Sequence, residues 1–166
     1  MRDEQDIRNA MEHHANTVMR VSSLYMRNQA DRDDMFQETF IKYAQSSMQF
    51  ESEEHKKAWL IRVATNACKD YLKRAERRNA SLDDVAEYQQ PAAPEADEGF
   101  AKVQSDELLA ALYSLEPKYR EALYLKYYEG FTAAQIGEIV GAPENTVYTN
   151  LARGRERLKE VLQRER

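Results

Sequence analysis

Asn145, Thr146, Tyr148, Thr149 and Asn150 crowd the start of one predicted helix, and Arg153, Arg155 and Arg157 follow at alternate positions. Amides and hydroxyls can hydrogen-bond base edges or phosphates, while guanidinium groups bind phosphate and set register on a duplex. The same run also fits a plain helical hairpin with a solvated face, because alternating Arg and Glu is common on exposed helices. A second constellation is Arg62, Asn66, Lys69, Lys73 and Arg77, at steps of four, three, four and four. That spacing makes one stripe along a helix, widened by Arg74 and Arg78 toward its end. A positive row with a single Asn suits a helix lying against DNA, with phosphates neutralised and an occasional base read; a solvated face accounts for it as well. Just upstream, Phe50, His55, Lys56, Lys57 and Trp59 interleave aromatic and basic groups. Such a mixture can hold an unstacked base, or Phe50 and Trp59 can be core. The third constellation has the opposite sign: Asp34, Gln37 and Glu38 at i, i+3 and i+4 form an acidic face that repels DNA and suits a basic protein partner, or is simply solvated.

Other chemistry finds little support. His13, His14 and His55 stand at no metal-ligand spacing with carboxylates or with Cys68, and no glycine-rich phosphate loop occurs. Adjacent on one helix, His13 and His14 point to different faces and are expected at the surface. Cys68 is the single cysteine, so an internal disulfide and a Cys-rich zinc site are excluded; its place on the apolar side of a helix makes it a small core residue. No catalytic residue, metal or cofactor is expected.

Helices must position these groups, because the apolar spacing is helical nearly throughout. A first helix over about residues 4–28 would bury Ile7, Met11, Val18, Val21, Leu24 and Tyr25. Asp31 is a plausible N-cap for a second, with Asp34 in its first turn and Phe36, Phe40 and Tyr43 facing inward. Ser46, Ser47 and the acidic stretch to Glu54 make a connection. A third helix, about Lys57 to Arg78, turns Leu60, Ala64, Ala67, Cys68, Tyr71 and Leu72 inward. Residues 79–104 hold Pro91, Pro94 and Gly99 with few apolar anchors and form an acidic linker. Helix resumes at Ser105 with Leu108, Leu109, Leu112 and Leu115; Pro117 opens another that runs through Leu123 to Tyr128, and Gly130 stops it. Thr132 can cap a short helix burying Ile136 and Val140, with Gly137 on the same face and Gly141 at the turn. Val147 and Leu151 then pin the polar helix. A small residue, a turn glycine and an apolar residue six further on meet the packing requirement of a helix-turn-helix. The fold class is therefore all-α: two small helical domains, at residues 1–78 and 105–166, joined by the linker.

The 166 residues carry a net charge of −5, which taken alone argues against nucleic acid. By segment the picture differs: residues 31–54 carry −5, 55–78 carry +6, 79–116 carry −8 and 144–166 carry +2. Local field rather than total charge steers a polyanion. A mean hydropathy of −0.81, the lack of a long apolar run and the polar first residues point to a cytoplasmic chain without membrane contact of its own.

The order of three motifs resembles the sigma-70 family of RNA polymerase sigma factors, in particular its short extracytoplasmic-function (ECF) group. They are DDMFQETFIKYA at 33–44, AWLIRVATNACKDYLKR at 58–74, and the helix-turn-helix ending TVYTNLARGRERL at 146–158. The resemblance implies a non-catalytic factor that binds core RNA polymerase and directs promoter-specific initiation. Asp34, Gln37 and Glu38 would dock on the beta-prime clamp helices, and the beta flap is a further implied partner. His55, Lys56, Trp59, Arg62, Asn66, Lys69, Lys73, Arg74 and Arg77 would recognise and open the minus-ten element. Asn145, Thr146, Tyr148, Thr149, Asn150, Arg153, Arg155 and Arg157 would engage the minus-thirty-five element, and the linker would run toward the polymerase cleft. An anti-sigma protein is a further implied partner. Family members commonly carry a basic residue, Ser or Thr, then Arg after the Thr-Val pair; here Tyr148, Thr149 and Asn150 stand there, so two cations are missing. A stand-alone helix-turn-helix regulator, or a protein-interaction adaptor with a degenerate DNA-binding half, would share much of this pattern.

Overall fold

The computed structural model describes residues 1–80 and 106–164, and every regular element among them is helical. The chain divides into two compact units, Met1–Gln90 and Pro91–Arg166. The linker expected at 79–104 lies outside the described residues except for Asn79 and Ala80, which end a helix. Among the described residues no helix is long and apolar enough to cross a membrane.

The first unit is built from α1 (Glu4–Ser23), α2 (Gln29–Gln45) and α3 (Glu53–Ala80). Asp3 caps α1 by accepting from the Asp6 N–H at 2.8 Å. The helix ends at Ser23, earlier than its apolar spacing suggests, because Leu24, Tyr25 and Met26 continue into the core as a tight turn whose N–H groups return to the carbonyls of Val21 and Ser22. Met11, expected inside, is 37% exposed. Asn28 rather than Asp31 caps α2: its side chain accepts from the Asp31 N–H at 2.8 Å and leaves Asp31 in the first turn. Both residues are competent caps, and the position of the turn decided between them. On α2 the inward face is Met35, Thr39, Phe40 and Tyr43, with Phe36 only half-buried and its ring 4.8 Å from that of Phe40.

Residues 46–52 are too short a connection for anything but an antiparallel return. The Tyr71 hydroxyl accordingly reaches Asp31 at the start of α2 (3.1 Å), while Trp59 meets Tyr43 near its end (ring centres 6.1 Å). On α3, Leu60, Ile61, Ala64, Thr65, Ala67 and Cys68 are buried, whereas Tyr71 and Leu72 are half-buried. Burial also pushes the Cys68 thiol up to about 12. Thiolate is the reactive form, so iodoacetamide at pH 8 should leave the folded chain unmodified and label it only when denaturant opens this unit. Labelling of the native chain at the denatured rate, followed by mass spectrometry, would refute the burial.

The second unit holds α4 (Asp106–Tyr113), α5 (Pro117–Leu123), α6 (Ala133–Val140) and α7 (Glu144–Arg164). Of the apolar stripe expected on α4, Leu112 is half-buried and Leu115 buried, while the side chains of Leu108 and Leu109 lie outside the described residues. Helix α5 begins on Pro117, as expected, and continues as a π-helical turn over Tyr124–Tyr128 in which the Glu129 N–H reaches back to the Tyr124 carbonyl. Thr132 caps α6 in a reciprocal capping box with Gln135. Ile136 and Ile139 are buried and Val140 is half-buried, so the buried stripe of α6 is Ile136–Ile139 rather than Ile136–Val140. The turn to α7 depends on two glycines for different reasons. Gly141 adopts a left-handed φ of 76°, a region that costs other residues about 1–2 kcal/mol. Gly137 faces the returning chain so closely that a Cβ there would sit 2.6 Å from the Ala142 carbonyl oxygen. Val147 and Leu151 then seal α7 against the unit, at 1% and 3% exposure.

Candidate nucleic-acid interface

Burying the Leu60–Cys68 seam of α3 turns the opposite side of the helix outward. Arg62, Asn66, Lys73, Arg74 and Arg77 are exposed, and Lys69 is half-buried. From Arg62 to Arg77 the row extends about 22 Å at 1.5 Å per residue. It is therefore a continuous cationic edge on a rigid rod, a form suited to following a phosphate backbone.

The residues before the row are arranged differently. Trp59 and Phe50 are half-buried, and their rings pack on each other (5.7 Å) and on Tyr43 (6.1 and 6.2 Å). His55 is exposed; its ring stands edge-on to Phe50 at 5.2 Å, and its Nδ1 accepts the Glu51 N–H at 3.2 Å. Lys56 is drawn in: its ammonium lies 3.5 Å from Glu53 and about 6 Å from the Tyr43 and Phe50 ring centres. Burial pulls the Lys56 ammonium down, but the Tyr43 hydroxyl, Glu53 and Asp6 outweigh it and the net displacement is upward. Behind this group sits His14, buried rather than on the surface where adjacency had placed it, with Nε2 2.9 Å from the Glu53 carboxylate. That contact is the main cause holding Glu53 below the ordinary carboxylate range. Two adjacent helical residues do point in different directions, and here one of the two directions is the α1–α3 interface.

The acidic face and the cationic row are separate surfaces along the sequence, and the antiparallel return brings their ends together. Asp34, Met35 and Glu38 of α2 and Tyr71, Arg74, Arg77 and Arg78 of α3 line one open groove. Asp34 and Gln37 are exposed, and Glu38, half-buried, also pairs with Lys42 at 3.3 Å. The groove is thus acidic on one wall and basic on the other.

In the second unit the first turns of α7 present Asn145, Thr146, Tyr148 and Thr149 to solvent, with Asn150 half-buried. Tyr148 is 56% exposed and its hydroxyl reaches Glu144 at 3.4 Å. Thr149 returns its hydroxyl to the Asn145 carbonyl at 3.1 Å. Arg153, Arg155 and Arg157 are all exposed, yet two of them lean toward α5 and its π-helical continuation. Arg155 donates to the Tyr127 hydroxyl at 2.8 Å, and the Arg157 guanidinium lies 6.0 Å from the Tyr119 ring centre. Tyr127, 62% exposed beside Arg155, is no part of the expected site; it lies in the π-helical turn, which no spacing in the sequence signals.

Comparison with known proteins finds a family match in each unit. Residues 10–78 match the family described as Sigma-70 region 2, and residues 105–158 match Sigma-70, region 4. The chain is 32% identical over 155 residues to the ECF RNA polymerase sigma factor SigE of Mycolicibacterium smegmatis, with 90% of this chain and 58% of SigE covered. It thus spans a little over half the length of that relative. To the RNA polymerase sigma factor CarQ of Myxococcus xanthus it is 30% identical, with 90% of this chain and 84% of CarQ covered. Among solved structures, the sigma factor RpoE from Bartonella quintana, in complex with the anti-sigma factor NepR, has a similar fold at a TM-score of 0.74 and 21% identity, covering 98% of this chain and 99% of that one. CnrH in complex with the cytosolic domain of CnrY is similar at 0.65 and 19% identity, covering 99% of this chain and 92% of that one.

Proposed function

Because the chain belongs to the sigma-70 family of RNA polymerase sigma factors, in its ECF group, we propose that it joins core RNA polymerase and directs initiation by reading two promoter elements, one with each unit. The observation that carries this is the presence, in one chain and in that order, of a region 2 unit with an outward cationic row and a region 4 unit with an exposed polar recognition helix. Arg62, Asn66, Lys69, Lys73 and Arg77 hold the minus-ten segment, with Arg74 at the edge and His55, Lys56 and Trp59 framing the opened strand. Asn145, Thr146, Tyr148, Thr149 and Asn150 meet base edges and phosphates of the minus-thirty-five element, and Arg153, Arg155 and Arg157 the phosphates beside them. Asp34, Gln37 and Glu38 dock on the beta-prime clamp helices, and the beta flap is a further contact. The factor works by binding and positioning alone, and the anti-sigma complexes of its structural relatives support an anti-sigma protein as a further partner.

Reconstituting the chain with core polymerase on genomic DNA and sequencing the transcripts tests the proposal. Discrete start sites sharing two spaced motifs are the expected result. Output no greater than that of core alone overturns it, and tight duplex binding without polymerase would favour a stand-alone regulator.

The neutral Tyr148 and Asn150 make a further expectation. Each phosphate contact adds about 0.9 to the slope of log affinity against log salt. Tyr148→Lys with Asn150→Arg should therefore steepen that slope for holoenzyme on its promoter by up to about 1.8. An unchanged slope in a filter-binding series would show that these positions do not face phosphate.

A further inference from the structure

We propose that Arg2 is a positioning residue for promoter opening: it clamps residues 46–52 to the end of α2, so that the aromatic and basic groups opening α3 meet DNA in one arrangement. The inference rests on the initiation reading above and adds a residue that lies before the stretch matching region 2.

Arg2 contacts three parts of the unit at once. Its backbone N–H donates to the Ala44 carbonyl and its Nε to the Tyr43 carbonyl, both at 2.9 Å, and its Nη2 donates to the Met48 carbonyl. Nη1 pairs with Asp6 at 3.1 Å. The guanidinium plane lies 4.3 Å from the Tyr43 ring centre and 5.3 Å from that of Phe50. Tyr43 and Ala44 occupy the last turn of α2, where carbonyls lack full intrahelical pairing and the helix dipole favours a cation. Met48 and Phe50 belong to the loop. One planar fork therefore joins helix end, loop and aromatic group, and its orientation is held by Asp6, which also accepts the Tyr43 hydroxyl at 2.6 Å.

Local ties within the loop are short in range. The Met48 N–H donates to the Ser46 hydroxyl, and the His55 N–H to the Ser52 hydroxyl, both at 3.1 Å. They shape the turn without fixing it to α2. Without the Arg2 fork, Phe50 loses the nearer of its two cations, Lys56 standing 6.0 Å from its ring centre, and the Met48 carbonyl loses the Arg2 donor, so the loop gains freedom that binding must then remove. Lysine is no substitute, because a point charge cannot reach both carbonyls and the ring faces together.

The test compares wild type, Arg2→Ala and Arg2→Lys as holoenzyme on a promoter mapped by the transcript experiment above. Permanganate reactivity follows strand opening, a titration gives core affinity, and amide exchange reads residues 46–52. Arg2→Ala should open the promoter about tenfold more slowly, equivalent to about 1.4 kcal/mol, and exchange faster at 46–52, with core affinity unchanged; Arg2→Lys should fall between it and wild type. Wild-type opening in Arg2→Ala overturns the assignment, as does a loss of core affinity that matches the loss of opening, which would mark Arg2 as merely structural. If wild-type holoenzyme opens no promoter, the initiation reading fails and this assignment fails with it.

Discussion

Gly137→Val is expected to destabilise the second unit by about 3 kcal/mol or more, at or above the upper end for forcing extra atoms into a packed interior. The obstacle is a backbone carbonyl, that of Ala142, 2.6 Å from where the Cβ must go. A side chain could swing away, but this carbonyl belongs to the turn that sets the crossing of α6 on α7. Alanine at 137 meets the same atom and recovers up to about 1 kcal/mol of helix propensity, so its net loss should be smaller. Gly141→Ala offers a contrast: nothing lies within 4 Å of its Cβ, and only the left-handed φ opposes it, at about 1–2 kcal/mol. For a unit of this size 1 kcal/mol moves the midpoint by roughly 4–8 °C. Thermal melts of the full chain should therefore order Gly137→Val well below Gly141→Ala, and that below wild type. A Gly137→Val midpoint within a few degrees of wild type would show that the turn is not packed as described.

Reversing Asp34 and Glu38 together, as Asp34→Lys with Glu38→Lys, is expected to weaken binding to core polymerase by at least about a hundredfold, or about 3 kcal/mol. Like charges set against a basic partner cost several kcal/mol. The groove complicates the reading of this variant, because two new cations would face Arg74, Arg77 and Arg78 across it. Asp34→Asn with Glu38→Gln separates the effects, since it removes the attraction and introduces no repulsion within the unit. The neutral pair should lose part of the affinity with its melting midpoint close to wild type, whereas the reversed pair should lose more affinity and some stability. Fluorescence titration of labelled chain with core measures the first and thermal unfolding the second. Unchanged affinity in both variants would remove the docking assignment and leave the acidic face as solvated surface.

Periodicity sufficed for the all-helical class, the turn of the helix-turn-helix and the outward aim of the Arg62–Arg77 row. Each follows from which side of a single helix is apolar, and that is local information. The cap on Thr132 and the left-handed Gly141 were legible for the same reason: side-chain type and backbone freedom act within a turn. Where two neighbouring residues were equally fit for one task, sequence chose wrongly. Asn28 took the cap from Asp31, and Ile139 took the buried position from Val140.

By itself, then, the order of residues determined that this chain forms amphipathic helices in two groups and which polar side of each helix faces solvent. Tertiary structure alone decided which distant groups share a surface. His14 is buried because α1 packs where Glu53 begins α3, the acidic and basic faces meet because a short loop folds α2 back along α3, and Arg2 reaches Met48 because the N-terminal end of α1 lies beside the C-terminal end of α2. The physical reason is range: propensity and amphipathicity act over a turn or two, whereas an ion pair or a clamp between residues some forty positions apart exists only once packing has brought them within a few ångströms.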